Sequence, residues 1–158
     1  TPAVGFAGTD SFTYQANDGA ANSNIATVTI TVTQPATTLG RKVTGGGSIS
    51  GATQGQASFN LNPQADDNDG TIKGTLQYGG SSEGVYIRST SITGMVFTGT
   101  SVRIFGKATV NGAGSFDFVA DVTDNGEPGN NDTFAIRLSN GYTNGPKTLT
   151  GGNIQVHK

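Results

Sequence analysis

The sequence contains no cysteine and no tryptophan, and His157 is its single histidine. The absence of cysteine excludes a disulfide framework, a catalytic thiolate and a thiolate-bound metal. His157 has no partner at the spacing that a catalytic triad or a histidine-rich zinc site requires, which disfavours both. No motif singles out a pair of carboxylates of the kind that glycosidases use. We therefore predict that the chain is not an enzyme.

Charge is also sparse, since charged residues make up 13% of the chain and the formal net charge is −2. The lysines and arginines are scattered and form no basic cluster with interleaved aromatic residues, which argues against a nucleic-acid partner. No apolar run approaches the roughly 20 residues that a membrane-spanning helix needs, so no membrane span is predicted. No signal peptide follows Thr1, and we expect any export signal to lie upstream.

The residues that are abundant favour β structure. There are 25 glycines, and β-branched and aromatic residues alternate with turn-forming residues, while helix-favouring runs are missing. A surface rich in threonine and asparagine and poor in lysine and glutamate is common outside the cell. The composition predicts an all-β protein with an extracellular, secreted location.

The first segment, residues 1–33, has the pattern of two strands and a turn. Apolar and polar residues alternate over 12–16, and an Asn-Asp-Gly turn signal follows at 17–19. In the second strand, over 25–33, the alternation places Val28, Ile30 and Val32 on one face.

The segments 5–19 and 23–32 resemble the end of a bacterial cadherin-like, immunoglobulin-like adhesin repeat. The resemblance covers only the final third of such a repeat, and a lone two-stranded ribbon is marginal in water. We therefore expect these strands to pair with another segment. That segment is either the upstream part of the repeat in a longer parent chain or the sheet edge of a neighbouring subunit. In the second case Val28, Ile30 and Val32 would fill pockets of the partner by strand addition.

A short linker is predicted over 34–40, and a second domain over 41–158. Its alternation predicts strands near 42–50, 56–62, 71–78, 84–88, 91–97, 101–110, 114–122, 132–139 and 148–156. Asn-Gly turn signals lie at 111–112, 140–141 and 144–145. Regular short strands with such turns predict an antiparallel β-sandwich or jelly roll.

Several segments of this second domain resemble a post-COAP-type β domain: 44–49, 91–93, 108–112, 121–129, 132–136 and 151–156. The resemblance spans nearly all of 42–157. Domains of that type stand at the C-terminal ends of bacterial surface and secreted proteins. The resemblance therefore implies a location and an architecture more than an activity.

The acidic loop 121–132 is the best candidate for a metal site. Calcium prefers six to eight oxygen ligands, which a loop rich in aspartate, asparagine and glycine supplies. With Gly126 at the turn position of an EF-hand frame, Asp121, Asn125 and Asp132 fall at ligand positions. The alternative is a plain loop whose polar residues satisfy a turn. A second acidic run at 66–70 does not fit the same frame.

Exposed tyrosines would mark a carbohydrate-binding face, and Tyr78, Tyr86 and Tyr142 are the candidates. The alternative is that these tyrosines are half-buried at strand ends. The sequence as a whole predicts an extracellular structural or adhesion module that self-associates through residues 1–33 or packs on neighbouring domains of a parent chain. A glycan- or host-surface-binding module and a passive spacer are the alternatives.

Overall fold

A computed structural model describes residues 8–32 and 39–157 of the chain. These residues form strands and one short 3-10 turn, and the described part of the chain contains no α-helix. The chain divides into two compact units, Thr1–Pro35 and Ala36–Lys158. The predicted all-β class is confirmed. Residues 34–38 of the predicted linker lie outside the described residues.

The first unit is a two-stranded antiparallel ribbon made of β1 (Gly8–Tyr14) and β2 (Ala26–Val32). Its register places Phe12 opposite Val28 and Tyr14 opposite Ala26. Because directly opposite residues in an antiparallel pair share a face, the apolar residues of both strands lie together on one side. The hydroxyl residues of both strands lie on the other side.

An ordered loop of hydrogen bonds joins β1 to β2. The Asp18 carboxylate accepts hydrogen bonds from the backbone amides of Ala20 and Ala21, at 2.9 and 2.8 Å. Further along, the Ser23 amide donates to the Ala16 carbonyl at 2.8 Å. The predicted turn residues therefore begin this loop, which is longer than a two-residue hairpin turn.

The second unit contains eleven strands in one antiparallel sheet. The strands are β3 (Lys42–Ser50), β4 (Gln56–Leu61), β5 (Gln64–Ala65), β6 (Ile72–Lys73), β7 (Leu76–Gly80), β8 (Val85–Thr98), β9 (Ser101–Val110), β10 (Ala113–Thr123), β11 (Thr133–Leu138), β12 (Thr143–Thr148) and β13 (Gly151–His157). A 3-10 turn spans Ser81–Glu83.

The sheet curls so that distant strands pack face to face. Its path runs β12-β11-β10-β9-β8-β7-β4-β3-β5-β6, and β13 also pairs with β3. Four strands separate β4 from β11 along this path, yet the rings of Phe59 and Phe134 stack with centroids 4.1 Å apart. Tyr78 of β7 also stacks on Phe134, at 6.0 Å. The two halves of the sheet therefore form the layers of a sandwich around one core.

The alternation in the sequence correctly predicted the inner faces of several strands. In β10, Phe118, Ala120 and Val122 are buried, and in β11 so are Phe134 and Ile136. The same period of two holds in β4 and β7. An antiparallel sheet with one dry face and one wet face produces this pattern.

Three predicted boundaries are wrong. Segments 84–88 and 91–97 form a single strand, β8, because two register shifts, between Ser89 and Ser91 and between Ile92 and Gly94, absorb the break in alternation. Segment 71–78 is split into β6 and β7 at Gly74, which has a φ of 113°. The Asn-Gly pair at 144–145 lies inside β12, where an edge strand tolerates the following proline.

Candidate functional site

The ribbon presents an uncovered apolar face. Phe12, Tyr14 and Ile30 are 53%, 56% and 48% exposed, and Val28 and Val32 are half-buried beside them. Within the described ranges no third strand pairs with the outer edge of β1 or of β2. Asp10, opposite Ile30, is the one charged residue on this side of the strand pair. The ribbon therefore offers one largely apolar surface and two strand edges for contact.

The opposite face of the ribbon is polar throughout. It consists of cross-strand pairs of hydroxyl residues, Thr9 with Thr31, Ser11 with Thr29 and Thr13 with Thr27. Side chains of this kind are well solvated and need no partner. The contrast between the two faces is what a strand pair needs when it covers a core on one side only. Val28, Ile30 and Val32, predicted as partner-strand residues, all lie on the apolar side.

The structure does not bring the three predicted calcium ligands together. Asp121 lies on the outer face of β10, and its carboxylate bonds Arg103 Nε at 2.5 Å and Arg137 Nη2 at 2.9 Å. The hydrogen bond to this carboxylate raises the pKa of Arg103. Strand parity explains the placement, because Ala120 and Val122 on either side of Asp121 are buried.

Asp132 and Asn125 do meet, through a backbone contact. Asp132 is fully buried; one carboxylate oxygen accepts from the Asn125 amide and the other from the Ile154 amide, both at 2.8 Å. The Asn125 side chain donates to the Asn131 carbonyl at 2.7 Å. Within the described residues no three histidine, aspartate or glutamate side chains form a group that could hold a metal ion. Calcium at Asp121, Asn125 and Asp132 stays a prediction.

The remaining acids of the same loop bind the last strand. Asp124 Oδ2 accepts from the Val156 amide at 3.0 Å. Glu127 Oε1 accepts from the side chains of Gln155 and Asn153, at 2.9 and 3.0 Å. These two hydrogen bonds lower the pKa of Glu127. Sequence reasoning missed this role, because the partners lie more than 25 residues away and follow no motif.

The three candidate glycan tyrosines do not share a surface. Tyr78 is 1% exposed and its ring is stacked in the core, so it offers no face to a sugar. Tyr142 is half-buried, and its ring is tilted at 59° to that of Tyr78. Tyr86 is 47% exposed, with its hydroxyl 3.2 Å from Gln77 Oε1. Only Tyr86 and Tyr142 therefore retain surface on which a ligand could rest.

Tyr78 and Tyr142 belong to a hydrogen-bonded chain. Asn144 Nδ2 donates to the Tyr78 hydroxyl at 2.7 Å, the two tyrosine hydroxyls are 2.8 Å apart, and the Tyr142 hydroxyl donates to Glu83 Oε2 at 2.9 Å. An amide NH₂ only donates and a carboxylate only accepts, so the direction of every bond in the chain is fixed. Burial, Tyr78 and Glu83 together raise the pKa of Tyr142, which keeps its hydroxyl protonated.

Glu83 ends the chain near the surface. Its second oxygen accepts from the Thr53 amide at 2.8 Å, and this bond is the largest cause that lowers the pKa of Glu83. The chain thus ties β12 and β7 to the loop before β4. The arrangement is that of a structural network, with a fixed proton position at each hydroxyl.

A shallow cavity of about 490 Å³ lies along β8, β9 and β10. Val96 and Phe105 line it together with the ion pair of Arg103 and Asp121. Of the predicted site residues, Asp121 alone contributes to it.

Comparison with known proteins bears on the ribbon. Residues 1–31 match the model of a family described as bacterial Ig domain. No curated protein and no solved structure matches the chain. The family match supports the predicted Ig-like segment, whereas the resemblance of 42–157 to a post-COAP-type domain is not confirmed.

These findings define a class. The chain is an all-β protein whose residues 1–31 are similar to a bacterial Ig domain, and this similarity suggests a surface- or adhesin-type module. In the described residues no helix has the length and hydrophobicity that a membrane crossing requires.

Proposed function

We propose that the chain is a structural or adhesion module of the bacterial cell surface or extracellular matrix, and that it joins to a second copy of itself through the ribbon. The observation that carries the proposal is the apolar face of β1 and β2, where Phe12, Tyr14 and Ile30 are each about half exposed. The match of residues 1–31 to a bacterial Ig domain supports a surface location.

The size of the apolar face sets the expected strength of association. Full burial of a large apolar side chain stabilises by about 1.5–3 kcal/mol, so a half-exposed one has about 1 kcal/mol left to gain. Three such side chains on each of two copies give roughly 6 kcal/mol, to which the half-buried Val28 and Val32 add less. Association costs about 4–15 kcal/mol, so we expect weak, concentration-dependent binding that backbone hydrogen bonds at the strand edges strengthen.

Light scattering after size exclusion tests the proposal on matched variants. Ile30→Lys replaces an apolar side chain opposite Asp10 with a charged one, whereas Thr29→Lys places the same charge on the opposite, polar face. We expect the wild-type chain and Thr29→Lys to form multimers as concentration rises, and Ile30→Lys to stay monomeric.

A truncation to residues 41–158 gives a second comparison, because the second unit encloses its own core. We expect this truncation to be monomeric. A wild-type chain that is monomeric at every concentration would contradict self-association. It would favour a ribbon whose apolar face is covered by strands of the same repeat in a parent chain.

Calcium and glycan are further proposed ligands of the module. Calcium would stiffen the acidic loop, and the same light-scattering series with calcium and with chelator tests for it. A glycan screen with Tyr86→Ala tests sugar contact at the more exposed of the two tyrosines. Binding that survives this substitution would contradict a site centred on Tyr86.

A further inference from the structure

The last strand of the second unit has an edge without a strand partner in the described part of the chain. β13 pairs with β3 along its whole length, from Gly151 opposite Ser48 to His157 opposite Lys42. On the other edge, the amides of Ile154 and Val156 are taken by side chains instead of a strand. Asp132 binds the first at 2.8 Å and Asp124 binds the second at 3.0 Å.

The same loop also holds the side chains between those amides. Glu127 accepts hydrogen bonds from both Asn153 and Gln155, at 3.0 and 2.9 Å. Three carboxylates therefore engage every residue from 153 to 156. This pattern follows the strand residue by residue.

The loop is itself held in place. The second carboxylate oxygen of the buried Asp132 accepts from the Asn125 amide. The second carboxylate oxygen of Asp124 accepts from the Gly126 amide at 3.0 Å. At Gly129, which has a φ of 79°, a Cβ atom would overlap Asn153 Oδ1 and the Gly152 backbone. The loop is thus packed directly against the strand that it binds.

An exposed strand edge recruits other strands through its unpaired amides and carbonyls. A carboxylate that accepts from such an amide satisfies it and has no N–H to offer to an incoming strand. Its negative charge also repels the incoming carbonyl oxygens. We propose that the loop 124–132 is an edge cap that closes β13 to strand addition by a second copy of the chain.

The opposite end of the sheet is protected in a different way. β12 carries Pro146, which has no N–H to donate, and Lys147 Nζ binds the Ser50 carbonyl at 3.2 Å. The outer edges at β12 and β13 are therefore unsuited to pairing, in contrast to the ribbon, and the third outer strand, β6, spans only Ile72–Lys73. The edge cap would confine self-association to the ribbon, and this last step rests on the proposed function.

The test removes two carboxylates in the full-length chain. The variant Asp124→Ala/Glu127→Ala is made in the Ile30→Lys background, where the ribbon is disabled, so the result does not depend on whether the ribbon associates. Asp132 is kept because it is fully buried. The control is Asp67→Ala in the same background, which removes a negative charge from an exposed position.

Hydrogen exchange and light scattering are the readouts. We expect the Val156 amide, which loses Asp124 as its acceptor, to exchange about tenfold faster in the double variant. The Ile154 amide keeps Asp132 and serves as the internal reference. We also expect multimers to appear that the control does not form. Unchanged exchange at the Val156 amide would overturn the edge cap, and so would faster exchange without any association. If the double variant loses its far-UV circular dichroism, Asp124→Ala alone is judged by the same two outcomes, because Asp124 is the acceptor of the Val156 amide.

Discussion

Replacing Tyr142 with phenylalanine isolates one hydroxyl of the hydrogen-bonded chain. The ring and its packing are kept, so the change removes only the bonds to Tyr78 and Glu83. Tyr78 is 1% exposed, and its hydroxyl would lose the acceptor for its proton with no access to water. The substitution therefore creates an unsatisfied buried donor and also removes a bond to a charged group.

The magnitude follows from those two losses. An unsatisfied buried polar group costs about 1–3 kcal/mol, and a hydrogen bond to a charged group contributes about 1.5–3 kcal/mol, with overlap between the two. We expect Tyr142→Phe to lower the free energy of unfolding by about 2 kcal/mol. In a unit of this size the Tm should fall by about 6–10 °C.

Urea and thermal unfolding followed by circular dichroism measure this loss. Tyr86→Phe is the matched control, because its hydroxyl lies on the surface and we expect a change below about 0.5 kcal/mol. Tyr78→Phe together with Tyr142→Phe should cost less than the sum of the single variants, since both act on one chain. Equal stability of Tyr142→Phe and Tyr86→Phe would refute the structural role of the chain.

Two further predictions concern the glycine run of β3 and the acid end of the chain. Gly47→Ala should destabilise the second unit by about 1–3 kcal/mol, because its Cβ atom would overlap the Gly151 carbonyl. Gly46→Ala should be tolerated, because its Cβ atom would lie 3.4 Å from Asn60 Nδ2 and 3.5 Å from the Phe59 carbonyl oxygen. Chemical denaturation of both variants decides. Because hydrogen bonds lower the pKa of Glu83 in the fold, its contribution is complete above the unfolded pKa of about 4.3 and is lost as the pH falls through the lower folded value. The stability difference between wild type and Glu83→Gln should therefore shrink from about pH 5 to about pH 3, an interval that brackets that pKa. A difference that is constant with pH would contradict this.

Local patterns were enough to predict the strands whose inner faces alternate regularly. The run Phe116, Phe118, Ala120 and Val122 correctly placed one face of β10 toward the core. The same run also bears on Asp121, since a residue between buried neighbours points outward. The calcium frame placed over 121–132 did not take this parity into account.

Long-range contacts could not be predicted in the same way. The partners of Asp132 and Glu127 lie in β13, and no pattern within the loop specifies that strand. Tyr78 is buried by Phe134 from a strand of the opposite layer, although the sequence pattern around Tyr78 predicts only the end of a strand. β12 was missed because Gly145 and Pro146 have turn chemistry, which only an edge position permits within a sheet.

The pairing of Lys42 with His157 has a consequence for how the second unit sits in any longer chain. The unit begins and finishes on two neighbouring antiparallel strands, at the same end of both. Opposed residues in such a pair have Cα atoms about 5 Å apart. The folded unit would therefore add only about 5 Å to the end-to-end length of a polypeptide that passes through it. The unit would lie to one side of that polypeptide. Tension applied at Lys42 and His157 would open the pair one bond at a time from that end, so the geometry suits a terminal or lateral position better than a link under load.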